Sequence, residues 1–287
     1  MAKLNRPTTV TELSCGPVEY RLERHGPRTV LILHGGHVRA SLPLGEEVFV
    51  ANGYSVLVPS RPGYGDTPLT TGTSPTVFSD VVAELCGKLG IPRLVAAVGQ
   101  SAGGPTAVTL ASRHPDLVER LILQSAVGFL SWPDRRIRLG GGLVFSAHAE
   151  KATWIAIHAL VRRAPRTALR LLLRDLTTRP VGPMIDNLTA EQRSLLLDLF
   201  ATMRSGAGFA TDLKNMADGD RPVPAVTQPT MIIATPDDGA VPYAHAQALA
   251  AALPDARLIT SRAPSHFIWL GDDYPAIAVA MAEFLIS

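Results

Sequence analysis

The sequence contains few cysteines: there are two in 287 residues, Cys15 and Cys86, and they lie far apart. This spacing provides neither the CxxC pairs typical of a zinc site nor the dense, even set of cysteines typical of a disulfide framework. We therefore expect no metal site built on cysteine. Because an unpaired cysteine behaves as a small hydrophobic side chain, we expect both thiols to be buried.

The sequence also lacks an excess of charge of either sign, since 27 Lys and Arg residues face 25 Asp and Glu residues, for a formal net charge of +2. Such a balance does not attract a phosphate backbone, so nucleic acid is not an expected partner. No uncharged apolar run approaches the roughly 18 to 20 residues that span a bilayer, and residues 1–16 lack the apolar segment of a signal peptide. We therefore expect a cytoplasmic protein with a small-molecule substrate and no membrane partner, and the sequence leaves a homodimer open.

What the sequence does have is apolar content, 46% of residues, and a regular alternation of patterns. Short β-branched runs such as residues 29–33 (TVLIL) alternate with longer helical patterns, which is typical of a mostly parallel sheet flanked by helices. From about residue 129 to residue 221 the apolar spacing is helical, with no convincing strand. The sequence thus predicts an α/β fold whose core comprises residues 1–128 and 222–287, interrupted by a helical insertion over residues 129–221.

The sharpest local motif is GQSAG at residues 99–103, which lies between a predicted strand and a predicted helix. A serine on such a tight turn is held in a strained backbone conformation with its hydroxyl exposed, and the turn needs very small residues two positions before and two after the serine. Gly99 and Gly103 meet that need. Ser101 is therefore a candidate nucleophile.

A serine hydroxyl needs a base to remove its proton, and the base needs a carboxylate to fix its tautomer. His266 follows a predicted strand directly, at the edge where open α/β sheets collect catalytic groups. Asp238 follows another strand on that edge, and the adjacent Asp237 is its rival for the role of the acid. His34 and His37 have no nearby acid and make a poor metal site, so no metal is expected.

These residues resemble the α/β-hydrolase superfamily over nearly the whole chain outside the insertion. Five motifs follow the family's order: HGG at 34–36, RPGYGDTP at 61–68, GQSAGG at 99–104, DGAVP at 238–242 and SHF at 265–267. The resemblance implies Ser101 as nucleophile, His266 as base and Asp238, rather than Asp237, as the acid. It also implies an oxyanion hole made by the backbone N–H groups of Gly36 and Ala102.

The resemblance further implies that the helical insertion is the family's cap domain, which lies over the nucleophile and shapes the substrate pocket. Residues from the insertion and from the core loops are candidates for the pocket wall, and these are Trp132, Val241, Phe267 and Trp269. Their apolar character favours a substrate with a hydrophobic portion.

The expected activity is that of a serine hydrolase that cleaves a carboxylic ester or lactone through an acyl-enzyme on Ser101, as a carboxylesterase does, without a cofactor. Epoxide hydrolases and haloalkane dehalogenases resemble the chain but carry Asp where Ser101 stands. A C–C bond hydrolase, an amidase or aminopeptidase, and a cofactor-free peroxidase would use the same three residues and stay open. A ligand-binding relative without turnover is a further alternative, which the intact set of three residues disfavours.

Two other patterns in the insertion have simpler interpretations. Four arginines recur at four-residue spacing and predict a helix with a solvated basic face: Arg162, Arg166, Arg170 and Arg174. The run Gly140 to Gly142 lacks the preceding strand and following lysine of a phosphate-binding loop, and we expect it to be a flexible part of the cap.

Overall fold

The computed structural model describes residues 4–133, 149–217 and 223–286. Within these ranges, eight strands form one sheet in the order β1-β2-β4-β3-β5-β6-β7-β8. The strands are β1 (Thr9–Leu13), β2 (Gly16–Glu23), β3 (Thr29–Leu33), β4 (Ser55–Pro59), β5 (Leu94–Gln100), β6 (Leu121–Gln124), β7 (Thr230–Ala234) and β8 (Ala256–Thr260). β2 runs antiparallel to β1 and β4, and every other neighbouring pair is parallel. The predicted α/β fold with a mostly parallel sheet is confirmed.

The central strands are apolar because helices cover both faces of the sheet. β3, β4, β5, β6 and β7 are buried at every position, as expected for parallel strands packed between two helical layers. The edge strand β8 has no fully buried residue. The carboxyl ends of the parallel strands therefore meet at one edge of a rigid, well-packed sheet.

Five helices pack on the sheet, three on one face and two on the other. The first layer consists of α2 (Pro75–Lys88), α3 (Gly104–Arg113) and α9 (Ala244–Ala252). The second consists of α1 (Glu47–Ala51) and α10 (Tyr274–Phe284). α2 begins where its sequence signals predict, since the Ser74 hydroxyl accepts the Val77 N–H and Pro75 occupies the first helical turn.

In the described part of the chain between β6 and β7, where the helical insertion was predicted, there are five more helices. They are α4 (Glu150–Arg163), α5 (Pro165–Leu173), α6 (Val181–Asp186), α7 (Ala190–Phe200) and α8 (Gly208–Asn215). The described part of this segment contributes no strand to the sheet. Most of its buried side chains pack against one another and against residues of the core loops. The run Gly140 to Gly142 lies outside the described residues, and the boundaries of a cap over residues 129–221 stay a prediction.

The expectation that both cysteines are buried needs correction. Cys86 is buried on α2 and burial raises its pKa to about 12, but Cys15 is exposed. Cys15 is exposed because it stands in the tight turn between β1 and β2, at the edge of the sheet and outside the core.

The four arginines at four-residue spacing are exposed, as predicted, but they do not lie on one helix. α4 ends at Arg163 and α5 begins at Pro165, because proline cannot donate the backbone hydrogen bond that would continue the helix. Arg174 then belongs to a short 3₁₀ turn that follows α5. The basic face is therefore divided among three short elements.

Candidate active site

Ser101 stands at the end of β5 in a backbone conformation that only small neighbours allow. Its φ is +49°, in the left-handed region that is strained for residues other than glycine. A Cβ on Gly103 would lie 2.1 Å from the Leu33 carbonyl oxygen, and one on Gly99 would lie 2.8 Å from the Ala107 Cβ. The strand-to-helix turn therefore requires both glycines for the close packing of β5, α3 and β3.

The segment that contains Gly36 packs directly against Ser101. A Cβ on Gly35 would lie 3.2 Å from Ser101 Oγ, and one on Gly36 would lie 2.8 Å from Cδ2 of Phe209. Ala102 is 1% exposed and lies in the middle of the 3₁₀ turn Ser101–Gly103, which leads into α3. The two residues expected to form an oxyanion hole thus lie in the immediate surroundings of Ser101.

The structure joins Asp238 to His266 by a short hydrogen bond. His266 Nδ1 lies 2.7 Å from Asp238 Oδ2, and Asp238 Oδ1 accepts the backbone N–H groups of Ala240 and Val241, each at 2.8 Å. Asp238 is 4% exposed. Asp237 instead forms an ion pair with Arg179 at the surface. Of the two rival acids, Asp238 is the one that contacts the imidazole.

The loop after β6 links the Ser101 turn to the His266 loop. Val127 N–H donates to the Ser101 carbonyl oxygen at 2.8 Å, and Ser125 Oγ donates to the His266 carbonyl oxygen at 2.9 Å. Across residues 4–133, 149–217 and 223–286, no hydrogen bond joins Ser101 Oγ to the imidazole. The hydroxyl-to-imidazole contact is often long without substrate and tightens in the reactive complex.

The four residues expected in the pocket wall fall into two groups. Trp132 and Val241 pack in one cluster with Ala102, together with Val127, Leu213, Met216 and Phe209. The Trp132 indole N–H donates to the Ala240 carbonyl oxygen at 2.7 Å, which fixes the ring. Phe267 and Trp269, whose ring centroids are 4.7 Å apart, pack instead with the helices of the insertion. The first group is therefore the one beside Ser101.

Sequence reasoning missed the contribution of α8 to these surroundings. Leu213 and Met216, together with Phe209, bring apolar surface from this helix to Ala102. The Phe209 ring also lies 4.0 Å from the ring of His37, centroid to centroid. The signal was weak, because α8 has eight residues and no side-chain cap at its first turn.

Two histidines near Ser101, the buried His34 and the half-buried His37, are held in the neutral form. Burial lowers the pKa of His34 to about 4 and that of His37 to about 3. His34 Nδ1 contacts Gln100 Oε1 at 2.7 Å and its Nε2 contacts the Leu42 carbonyl oxygen at 3.0 Å. His37 Nδ1 contacts Ser205 Oγ at 2.7 Å. In the described part of the chain, no group of three or more His, Cys, Asp or Glu residues is placed to bind a metal.

Among the described residues, no helix combines the length and the apolar character needed to cross a bilayer.

Comparison with known proteins identifies the family to which this chain belongs. Residues 28–273 match the family model of the alpha/beta hydrolase fold. The uncharacterized hydrolase YcgS of Bacillus subtilis (strain 168) is 30% identical over 275 residues, which cover 95% of this chain and 96% of that protein. A 2-hydroxy-6-oxononadienedioate/2-hydroxy-6-oxononatrienedioate hydrolase of Pseudomonas sp is 27% identical over 249 residues, covering 82% of this chain and 80% of that protein.

A solved structure agrees with the fold. The alpha/beta hydrolase fold protein from Nakamurella multipartita superposes with a TM-score of 0.79 at 22% identity, covering 97% of this chain and 99% of that one. Because the family match spans most of the sequence and its motifs meet at the carboxyl edge of the sheet, the chain belongs to the α/β-hydrolase family and is a hydrolase of that fold.

Proposed function

We propose that the protein is a serine hydrolase that cleaves a carboxylic ester or lactone with a hydrophobic portion through an acyl-enzyme on Ser101. The observation that carries the proposal is the 2.7 Å contact between Asp238 and His266, on loops beside a serine held at a φ of +49°. A hydrogen-bonded acid and imidazole next to a serine in a strained backbone conformation are what an activated nucleophile requires.

In the first step, Ser101 Oγ attacks the substrate carbonyl carbon and His266 Nε2 takes the hydroxyl proton. Asp238 orients the imidazole because one of its oxygens is held by two backbone N–H groups and the other accepts Nδ1–H. The carboxylate then stabilises the imidazolium that forms. His266 gives the proton to the leaving oxygen as the C–O bond breaks, which leaves the acyl group on Ser101.

The oxyanion would be held by the backbone N–H groups of Gly36 and Ala102. Ala102 precedes α3, so its N–H lies near the positive end of the helix dipole. Donors fixed in place before the reaction are among the largest contributors to acyl-transfer catalysis. Water activated by His266 would then attack the acyl carbonyl by the same route and release the acid.

The surroundings of Ala102 support an uncharged, hydrophobic acyl portion. The side chains that cluster with it are those of Val127, Trp132, Leu213, Met216 and Val241, with Phe209 at the margin. The only polar atom among these side chains, the Trp132 indole nitrogen, is already bonded to a carbonyl oxygen. Carbon surface of this kind binds apolar groups in proportion to the area removed from water.

A C–C bond hydrolase is the second candidate, and the similarity to the dienedioate hydrolase of Pseudomonas sp favours it. A dienedioate substrate carries two carboxylates, which need cationic partners when they are buried. The buried guanidinium group of Arg61, which donates to the His34 carbonyl oxygen, is already paired with Asp212. The cluster beside Ala102 offers apolar surface, and for these reasons we place the ester or lactone first. A non-catalytic binding protein is an outcome that the same experiment separates, whereas an amidase and a cofactor-free peroxidase would use the same Ser101 and need substrates of their own.

The test is to incubate wild-type protein and Ser101→Ala with a fluorophosphonate and with p-nitrophenyl esters of increasing acyl length. We expect labelling and hydrolysis by wild type alone, with kcat/KM reduced at least about 10³-fold in Ser101→Ala. Thr109→Ala, which removes a buried hydroxyl from α3, is the control for stability. Normal turnover in a folded Ser101→Ala would exclude the mechanism, and a dioate with a cleavable C–C bond hydrolysed faster than every ester would favour the second candidate.

A further inference from the structure

A buried ion pair joins the helical insertion to the loop that follows β4. Arg61 in that loop donates from Nη1 to Asp212 Oδ1 at 2.7 Å and from Nη2 to Asp212 Oδ2 at 2.8 Å. Asp212 lies on α8. The side chains are 7% and 9% exposed. The contact is thus a two-bond pair, shielded from water, between segments far apart in the sequence.

The third bond of Arg61 reaches the segment that carries Gly36. Arg61 Nε donates to the His34 carbonyl oxygen at 2.7 Å. The guanidinium group is a rigid plane, so its three bonds share one orientation. The position of Asp212 therefore sets the direction of Nε–H, and Nε–H holds the peptide that begins the turn His34-Gly35-Gly36.

Tyr64 contacts both members of the Arg61–Asp212 ion pair. Its hydroxyl donates to Asp212 Oδ2 at 2.6 Å, and its ring lies 4.8 Å from the Arg61 guanidinium carbon. Burial raises the pKa of Tyr64, so the hydroxyl stays protonated and can donate. Burial lowers the pKa of Arg61, but its interactions with Asp212 and Tyr64 together outweigh that effect and the net shift is upward.

The first turn of α8 is fitted to the same tyrosine. A Cβ on Gly208 would lie 2.3 Å from the Tyr64 ring, and Gly208 N–H donates to the Gly63 carbonyl oxygen at 3.1 Å. Asp212, one turn later, therefore has little freedom to move away from Arg61. Contacts with the core therefore fix α8 at its first turn, through Gly208, and at its centre, through Asp212.

Anchoring a helix does not by itself call for a buried charge pair. Removing two charges from water is costly, and well-packed apolar residues often stabilise a protein as well or better. What an arginine adds here is a directed N–H bond to a specific carbonyl oxygen, that of His34. The bond from Arg61 therefore indicates that the ion pair fixes the orientation of the His34 peptide in addition to any effect on stability.

We propose that Arg61 and Asp212 are positioning residues for the reaction. Asp212, carried by α8, orients Arg61, and Arg61 holds the His34 carbonyl so that the N–H of Gly36 points to the place where the oxyanion forms. α8 thereby does two things at once, because it also brings Leu213 and Met216 to the apolar cluster beside Ala102. This inference rests on the proposed function.

The test is Asp212→Asn, which keeps the size of the side chain and removes its charge. We expect kcat for the best p-nitrophenyl ester to fall at least about tenfold while KM changes less than about threefold, because the lost interaction acts in the transition state. The rate of fluorophosphonate labelling should fall in parallel, since that reaction also develops a negative oxygen in the same place.

The matched control is Glu46→Gln. Glu46 forms an equally buried pair with Arg21, whose Nε donates to the Ala40 carbonyl oxygen at 2.8 Å rather than to the Gly36 turn. We expect this variant to lower the melting temperature and to leave kcat within about twofold of wild type, because surface and core changes outside the site do not alter transition-state binding. An equal loss of kcat in Glu46→Gln would overturn the proposal.

Arg61→Lys tests the same bond without removing a charge. Lysine can pair with Asp212 but cannot also reach the His34 carbonyl oxygen, because it has one nitrogen instead of a planar fork. We expect the same loss of kcat as in Asp212→Asn, and if Asp212→Asn does not fold, Arg61→Lys alone decides. A kcat within about twofold of wild type in Arg61→Lys would overturn the positioning role.

Ser101→Ala, measured in parallel, separates the two proposals. If turnover survives that change, the proposed function fails and the positioning role fails with it. If turnover requires Ser101 but survives both Arg61→Lys and Asp212→Asn, the positioning role fails by itself.

Discussion

Two adjacent aspartates in one turn show how surroundings decide the use of a side chain. Asp238 is 4% exposed, accepts two backbone N–H groups and contacts His266. Asp237 points the other way and pairs with Arg179. Composition and turn propensity are the same for both, so chain spacing alone left the choice open, and the resemblance to the family was needed to prefer Asp238.

The first residue-scale prediction compares these two aspartates. Asp238→Asn should lower kcat at least about 10²-fold, because an amide cannot hold the imidazole in the tautomer that accepts the Ser101 proton. Asp237→Asn should stay within about threefold of wild type, since it loses one surface ion pair. Steady-state kinetics on the same ester measures both. Equal losses, or a larger loss in Asp237→Asn, would contradict the assignment.

The second residue-scale prediction concerns His34 and acid stability. Burial lowers the pKa of His34 to about 4 from 6.5. Between these values the unfolded chain binds a proton that the folded chain does not, so the free energy of unfolding should fall as the pH falls from about 6.5 to 4. The full effect is roughly 3 kcal/mol.

His34→Asn isolates that contribution. Urea unfolding at pH 7 and pH 4 should show a smaller loss of stability in the variant than in wild type. A difference between the two proteins that is the same at both pH values would contradict a buried neutral histidine.

At the scale of elements, α8 is the helix that connects the insertion with the surroundings of Ser101. One side of it carries Leu213 and Met216 to the Ala102 cluster, and Asp212 is bonded to Arg61. A short helix without a capping side chain has little intrinsic stability. Its position is therefore determined by contacts with the core rather than by its own sequence.

An element-scale prediction follows for substrate length. Leu213→Ala should raise the ratio of kcat/KM for long over short acyl esters by about tenfold, because an added methylene that fits a new apolar space contributes on the order of 1 kcal/mol or more. Leu171→Ala on α5 is the matched control, since Leu171 is 52% exposed. An unchanged ratio in Leu213→Ala, or the same shift in Leu171→Ala, would show that this face of α8 does not contact the acyl group.

The elements differed in how well the sequence predicted them. β3 could be predicted because TVLIL is an unbroken apolar run, and α2 because Ser74 and Pro75 mark its start. α8 and α6 could not be predicted because each is short, and α8 is held by a distant residue, Tyr64. The bond from Arg61 to Asp212 spans 151 positions, and no local pattern contains that information.

At the scale of the whole molecule, the site depends on the order of strands in the sheet. Ser101 follows β5, Asp238 follows β7 and His266 follows β8, with β6 paired between β5 and β7. The loop after β6 bonds to both the Ser101 turn and the His266 loop. The alternation of strands and helices predicted this edge, and the contacts across it came from the structure.

A whole-molecule prediction uses the two cysteines as reporters of folding. Cys15 is exposed and Cys86 is buried, with a pKa raised by burial to about 12. Because only a thiolate reacts quickly with a disulfide reagent, native protein should release about one equivalent of thionitrobenzoate and denatured protein about two. Cys15→Ser should leave the native protein almost unreactive. Rapid reaction of both thiols under native conditions would mean that the layer formed by α2 opens readily.

The location of the insertion between β6 and β7 also has a consequence for biosynthesis. Leu121 pairs with Thr230, so the ribosome must deliver the entire insertion before β6 gains its second neighbour. During that interval β6 is an apolar edge strand, which is a hazard for association with other nascent chains. Each molecule therefore passes through a stage in which the Ser101 turn already exists, Asp238 and His266 have not been made, and the sheet is open to chaperones at the edge that the last two strands will cover.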